Sequence, residues 1–578
     1  MDIAFPRPAR GPRVALALGL ALALVGCAHG LRTFERRPIV WRDADTRPHP
    51  TPPPSFYSSY TWDGADNAVF RPFAEFFTFE TDRESWNVNA MDEVPDSSWF
   101  QNRLGVRTMT PEEVGQGACA EDWAIPAPWR IVGGKPDGAN PGFQIEDGNG
   151  VRYLLKTEGL YQPYRPAAAD TVGAMIFHAA GYYVPCNRVV HFERDVFILD
   201  SEATIERTNG SVEPLEDHHV EEVLAQATRL PDGGYRASVS QFIQGRPISP
   251  WRYHGLRDGD PNDVVPHEHR RDVRAMYVLS AWTDHIDARQ ENTLLAWLRT
   301  EEDGAGHVRH YMIDFGDCFG ILHPWDNLAR RFGHSGYLDT GDIVTDLFTF
   351  GAIDRPWYHA RLSDAGRVLG YYDVVRFQPD AWRPGYANNA YDRVTELDKT
   401  WMARIIARFR DEHIRAMVER ARFPDPVVTA ELDRILRGRR DRILERWLTH
   451  LSPLTWARVE PSPTGSGARV CLQDLALWTG IRDADTRTYR AAAYAGDDQA
   501  PLPVEAPVPA DESYVCVDLP EPPGAMPEAP AYLIVDVIAA TEDRETTGPA
   551  RLHFYSLGPA GAELVGLERP ASAAPPRR

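Results

Sequence analysis

Two neighbouring stretches leave this chain few ways to fold. "DHIDARQENTLLAW" covers residues 284–297, and "HYMIDFGDCFG" covers 310–320. The residues before them, "PHEHRRDVRAMYVLSAWTDHID", read as a helix with Val273, Met276, Tyr277 and Ala281 on one face. "NTLLAWL" and "HVRHYMIDFG" then read as two strands around a polar turn. If they pair as a hairpin, Asn292 and Asp314 come to the same end, just after Asp287 and Arg289. A helix would thus feed a hairpin whose open end carries several polar side chains. Turn and capping chemistry alone also favours Asp and Asn at such places.

Upstream, "WRIVGGKPDGANPGFQIEDGNGVRYLLKTE" reads as strand, glycine-rich loop, strand, tight turn and strand, with Lys156 ending the last strand. Glycines let backbone N–H groups approach an anion closely, so Gly133, Gly134, Lys135 and Gly138 are candidates to cradle phosphate. A glycine-rich hairpin is also common as plain structure. Lysine usage bears on the choice. Of 62 Lys and Arg, only Lys135, Lys156 and Lys399 are lysines, and two of the three fall in this hairpin. A compact ammonium and a planar guanidinium are not interchangeable. "AAADTVGAMIFHAAGYYVP" follows as a helix with Asp170 in its first turn. Asp170 either pairs with Lys156 or is a helix-start carboxylate favoured by the dipole.

The order of these pieces suits phosphoryl transfer. Asn292 and Asp314 offer oxygen ligands that suit Mg²⁺, which keeps water and phosphate as its other ligands. Asp287 is placed to accept a proton from a hydroxyl, and Arg289 to reach the transferred group.

These motifs resemble the protein-kinase-like superfamily, over roughly residues 126–455. The matches are Lys156, Asp170, "HIDARQEN" with His285, Asp287 and Asn292, and "DFG" with Asp314. In that family a lysine strand, a helix carboxylate, "HRDxxxxN" and "DFG" build the phosphoryl-transfer site. The resemblance implies ATP or another phosphoryl donor, with Mg²⁺. Asp170 stands where the family has Glu, Ile286 where it has Arg, and no "APE" follows. These departures are similar to the atypical branches, the HipA-like, spore-coat and phosphoinositide-type kinases. "NVNAMDEVPDSSWF", "PNDVVPHEHRR" and "HYMIDFG" also resemble a group of bacterial envelope proteins.

The N-terminus reads as an export signal over residues 1–26. An Arg-bearing start is followed by "VALALGLALALVG", too short to span a bilayer. "LVGC" resembles the lipobox of bacterial lipoproteins, which implies lipidation of Cys27. Ala28 after it implies the outer membrane of the cell envelope. A formal charge of −21 with no basic face argues against a nucleic-acid partner. The expected partners are the lipid membrane, through Cys27, and an envelope protein or small-molecule acceptor. Export permits disulfides, and Cys471 with Cys516 is the expected pair. An odd count of the remaining five leaves a free thiol.

The expected organisation follows. Residues 27–60 form a proline-rich tether and 61–125 an N-terminal extension packing on the main domain. Residues 126–245, strands with one helix, form a β-rich N-lobe. Residues 246–455 form a mostly helical C-lobe, with "LDKTWMARIIARFRDEHIRAMVERA" as its clearest periodic stretch. Residues 456–467 ("EPSPTGSG" within) form a linker, 468–568 a small β domain, and 569–578 a tail. The fold class is α+β, a bilobal kinase-like fold plus a C-terminal β domain. Two other functions remain open: a kinase fold kept as a binding or scaffolding module, and an α/β hydrolase or metal enzyme. "EDHHVEE" at 216–222 bears on the metal alternative. Its adjacent histidines should point in different directions, so it is read as a solvated acidic helix face.

Overall fold

The structure, a computed structural model, describes residues 32–571 except 57–64, 66–69, 71–83, 121–123, 136–139, 207–210, 302–303, 338, 464, 497–498, 512 and 542–547. Cys27 and Gly138 therefore lie outside the described residues. Among those described, no helix is long and apolar enough to cross a membrane.

After a short helix α1 (Pro111–Gln116) the chain enters the first lobe. Its strands are β1 (Trp129–Gly134), β2 (Gly142–Glu146), β3 (Arg152–Thr157), β4 (Asn187–Phe192), β5 (Phe197–Glu206), β6 (Val212–Pro214) and β7 (Tyr235–Gln241). They form one sheet in the order β4-β7-β3-β2-β1-β5-β6. Alternation places Trp129, Ile131, Phe143, Ile145, Tyr153 and Leu155 in one apolar core with Phe197 and Val239. Helix α2 (Arg165–Ala180) follows β3 and is buried on nearly every side, as a helix apolar all round must be. A second helix, α3 (Asp217–Ala225), corrects the expectation of one helix in this lobe. His219 is buried there and accepts the Glu216 backbone N–H through Nδ1. The rings of His218 and His219 lie 3.8 Å apart, not splayed as expected.

The second lobe begins with the short strand β8 (Arg246–Pro247) and α4 (Arg271–Thr283), every residue of which is buried. β9 (Thr293–Arg299) and β10 (Gly306–Met312) pair antiparallel, Thr293 opposite Met312. The long periodic stretch is two helices, α5 (Glu396–Ile406) and α6 (Asp411–Glu419). Asp411 and Glu412 occupy the first turn of α6, and His413 Nδ1 accepts the Arg410 N–H, which starts a new helix there. α7 (Pro426–Ile443) completes the bundle. Trp282, Trp401 and Trp447 are fully buried in its core, which also takes in Val94, Trp99 and Phe100 from the N-terminal extension.

The C-terminal domain pairs β11 (Leu454–Pro461), β12 (Ala468–Asp474), β15 (Val508–Pro509) and β16 (Tyr514–Asp518) in one sheet. Its second sheet holds β13 (Arg487–Ala495), β14 (Ala500–Leu502), β17 (Ala531–Thr541), β18 (Ala550–Ser556) and β19 (Ala562–Glu568). The two-lobed α+β layout with an added β domain is thus the one observed. The expected linker at 456–467 is not: β11 runs into it as far as Pro461 and pairs with β12, Pro461 opposite Ala468, inside the domain. Pro and Gly punctuate a hairpin as readily as a linker. Arg569 likewise belongs to no tail. It is buried and donates to Asp92 at 2.7 Å.

The tether expectation fails over residues 32–56. Phe34 is buried against the β domain, Asp45 accepts from Ser98, and His49 forms a bridge with Gly306. Proline-rich composition does not preclude docking where the backbone groups find partners.

Two disulfides close loops. Cys471 pairs with Cys516, the expected pair, across β12 and β16. Cys119 pairs with Cys186, which the sequence reading did not assign. Cys318 is free and buried. Replacing Cys471 and Cys516 by serine is expected to destabilise the C-terminal domain by about 2–4 kcal/mol. Calorimetry should show an earlier transition for that domain. An unmoved transition would count against the bridge.

Candidate functional site

The site forms where β3, α2 and the β9–β10 hairpin meet. Lys156 points from β3 toward the second lobe. Its Nζ lies 2.9 Å from Asp314 Oδ1 and 3.8 Å from Asp170 Oδ2. Burial opposes the charge on Lys156, but these two carboxylates outweigh it and hold its pKa above the ordinary lysine value. Asp170 sits in the second turn of α2, not the first, so a helix-start role does not explain it. It is 2 % exposed, and burial raises its pKa against the pull of Lys156. Its Oδ1 accepts from Asn187 and from the Phe315 N–H, both at 3.2 Å, while Oδ2 has no hydrogen-bond partner. One methylene shorter than Glu, Asp170 reaches Lys156 only at the longer distance, and the short contact goes to Asp314.

Asp314 leaves β10 with φ 58°. Non-glycine residues adopt this left-handed region sparingly, and Asp is among those that tolerate it. The turn drops Phe315 inward, where it is fully buried against Phe177 and His285 at ring distances of 4.9 and 5.6 Å. Gly173 makes room for it: a Cβ there would come within 2.8 Å of the Phe315 Cβ. The Asp314 side chain stays half-exposed. Burial raises its pKa, but Lys156 and, less strongly, Lys135 bring it below the ordinary carboxylate value.

The other half of the site is the segment between α4 and β9. Asn292 Nδ2 donates to Asp287 at its backbone oxygen (2.8 Å) and at Oδ2 (2.9 Å). The Ile313 N–H donates to the Asn292 carbonyl at 3.1 Å, which ties the two hairpin ends together next to Asp314. Asp287 is pushed up to about 7, by burial first and by the neighbouring Asp317 second, with Arg289 and Asn292 opposing. Arg289 Nε lies 2.8 Å from Asp287 Oδ1, and its guanidinium lies over the Tyr386 ring at 5.1 Å. In this arrangement Arg289 is held on Asp287 rather than extended toward a transferred group.

Asp317 is the residue of this site that sequence reasoning missed. Its Oδ1 lies 2.9 Å from His285 Nδ1, and its Oδ2 accepts the Asp287 N–H at 2.7 Å. Burial lowers the His285 pKa, but Asp317 and Cys318 outweigh it, so the imidazole is held well above its ordinary value. Asp317 therefore fixes both ends of the 285–287 segment. No spacing signal pointed to it, because His285 lies 32 residues away. Among the described residues, His285, Asp317 and Cys318 also form the one cluster of potential metal ligands, with donor atoms within 4.8 Å of one another.

The glycines behave differently from expectation. Gly133 and Gly134 lie within β1, paired to Gln144 and Phe143 of β2. A Cβ on Gly134 would come within 2.7 Å of Ile205. Its small size is thus required by sheet packing, and neither residue belongs to an open loop. Lys135 follows β1, and its Nζ donates to the Asn140 carbonyl at 3.0 Å.

Asn292 spends its NH₂ on Asp287, so its amide oxygen remains as an acceptor, and Asp314 keeps a second carboxylate oxygen beside the one on Lys156. This donor chemistry fits Mg²⁺.

No protein-family model and no curated protein matches the chain. Solved structures similar to it include a Helicobacter pylori proinflammatory kinase, CtkA. That likeness has 11% identity, covers 54% of this chain and 95% of that one, and has a TM-score of 0.27. The Golgi casein kinase is similar at 10% identity, 68% and 92% coverage and TM-score 0.23. Its Mn/ADP-bound form is similar at 10% identity, 57% and 75% coverage and TM-score 0.22. At such scores the likeness carries no weight for function, and the chemistry rests on the side chains described above.

Proposed function

We propose that this chain is an envelope lipoprotein, lipidated at Cys27 and carried on the outer membrane, whose two-lobed domain transfers a phosphoryl group to a hydroxyl-bearing acceptor. The observation that supports it most is the placement of Lys156 between Asp314 and Asp170, beside the hairpin that carries Asp287 and Asn292. Lys156 would neutralise phosphate oxygens of ATP or another donor. Asn292 and Asp314 would hold Mg²⁺, which when bound supplies charge neutralisation for the phosphates. Asp287 accepts the acceptor's proton, and a pKa near 7 suits that exchange at neutral pH. Arg289 modulates Asp287 by its charge. The strand placement of Gly133 and Gly134, which takes them out of a phosphate-cradling loop, favours a second reading, a binding or scaffolding module without turnover.

Nucleotide binding by the protein lacking residues 1–27, with and without Mg²⁺, tests the proposal. A ligand that binds only the folded state raises stability by about 2.7 kcal/mol at a concentration of 100 Kd. Asp314→Ala should abolish the Mg²⁺-dependent part. No response to any nucleotide or other phosphoryl donor would overturn the reading.

Lys156→Arg is expected to weaken phosphate-ligand binding almost as much as Lys156→Ala. The slot between Asp314 and Asp170 is 11 % exposed at the lysine and fits a compact head, not a planar fork. Equal affinity for Lys156→Arg and wild type in calorimetric titration would refute this.

The acidic limb of the pH–rate profile should lie near pH 7, because the proton acceptor must be the carboxylate. Removing a negative neighbour, in Asp317→Asn, should move the limb down. Removing a positive one, in Arg289→Met, should move it up. Shifts of the same sign in both variants would exclude Asp287 as the titrating base.

A further inference from the structure

We infer that the face formed by residues 34–40 and Trp86 rests against the lipid surface, so that the protein is seated on the membrane rather than suspended from it. This inference rests on lipidation of Cys27. Phe34 is the seventh residue after Cys27, a span of at most about 25 Å when fully extended.

Phe34 is not free to move away. It is 8% exposed and packs over Gly566, where a Cβ would come within 2.5 Å of its ring. Its ring centroid lies 4.8 Å from that of His553. Its N–H donates to the Tyr532 hydroxyl at 2.9 Å, and its carbonyl accepts from Tyr555 at 3.2 Å. Two residues on, Arg36 makes two hydrogen bonds of 2.6 Å to Glu563. The outer sheet of the C-terminal domain therefore holds the chain seven residues from the anchor, and whatever surface surrounds Phe34 lies close to the bilayer.

On that surface exposed apolar side chains stand among polar and charged ones such as Glu35, Arg37 and Asp43. Val40 is 57% exposed and Trp86 55%, the latter with one ring face stacked on His269 at 4.1 Å. Phe34, Val40, Trp86 and Val565 line one open cleft of about 420 Å³. Trp joins an apolar ring to a polar N–H and is favoured at the headgroup level, as Arg is beside it. Arg37 is exposed here and pairs with Glu35. A net charge of −21 disfavours an anionic bilayer, so the occupant that fits is a zwitterionic phospholipid surface. The C-terminal domain thereby gains a role, as the platform that fixes how the two lobes stand over the membrane.

The test uses the full lipidated protein in phosphatidylcholine–phosphatidylethanolamine vesicles. Val40→Cys is labelled with a fluorophore, and Val212→Cys and Val375→Cys serve as exposed controls on the first and second lobes. A quencher carried at the lipid headgroup should quench the Val40 label several-fold more than either control. A glycine–serine insertion after Gly30 should reduce that difference. Mass spectrometry of the Cys27 peptide is read in parallel. Without a lipid adduct, the anchor reading and this inference both fall. With the adduct present and all labels quenched alike, the anchor stands and the seating is overturned. Protection of the Val40 label that is independent of lipid and grows with protein concentration would assign the face to a second copy and overturn the inference as well.

Discussion

Asp287→Ala should retain Mg²⁺-dependent stabilisation by nucleotide and lose phosphoryl transfer by about 10²–10⁴-fold, the usual worth of a positioned proton acceptor. The separation follows from the two halves of the site. Lys156, Asp170 and Asp314 form one ionic group, reached from β3, α2 and the end of β10. Asp287 belongs to the other group, with Asn292, Arg289 and the Asp317-bound backbone. Removing its carboxylate leaves the first group intact. It also frees Arg289 and one hydrogen bond of Asn292, so a modest change in metal affinity is expected. A scaffold would show binding in wild type with no turnover to lose. A hydrolase would show no nucleotide response in any variant. If Asp287→Ala kept wild-type transfer rates, Asp287 would be a structural partner of Asn292 and Arg289 and the proton would have to leave by another route.

The parts of the site legible in the sequence were those set by local chemistry. A helix, a polar break and two apolar runs specify the β9–β10 hairpin, and the hairpin alone brings Asn292 beside Asp314. Lysine scarcity singled out Lys156 because an ammonium was kept where almost every other cation is Arg. What escaped depends on contacts between distant residues. Asp317 acts through His285, the Asp287 N–H and its charge beside the Asp287 carboxylate, all contacts across the fold. Gly134 is small because Ile205 crosses it, which no turn rule announces. The docking of residues 32–56 and of Arg569 is of the same kind. Asp92 is surrounded by Arg271, Arg404 and Arg569, drawn from 179, 312 and 477 residues away. Burial raises its pKa, but the three cations bring it down to about 2. Such a hub joins the extension, the second lobe and the C-terminal domain, and composition carries no trace of it.

Arg236→Met should cost about 3–5 kcal/mol, the largest stability effect expected from a single substitution here, because it leaves one partner of a buried ion pair uncompensated. Arg236 and Glu158 are both fully buried and directly paired. Each is also committed elsewhere. Glu158 accepts the N–H groups of Tyr164 and Ala167 at 3.2 and 3.1 Å, so it caps α2, which has no capping side chain of its own. Arg236 donates to the Tyr164 carbonyl at 2.9 Å and to the Ala421 carbonyl just beyond α6, which fastens the first lobe to the second. A methionine fills part of the volume but strands a carboxylate in the interior, where Glu158 would have to take up a proton. The double variant Arg236→Met, Glu158→Gln should recover much of the loss, since a neutral amide can still accept from α2. The coupling between the two substitutions, measured by urea unfolding, should therefore be large. Glu158 lies two residues past Lys156 and caps the first turn of α2, one turn before Asp170. Loosening the pair should weaken nucleotide binding as well as folding. A single-variant cost below about 1 kcal/mol would mean that water reaches Glu158 in solution, and the pair would then be neither the cap of α2 nor the clasp between the lobes.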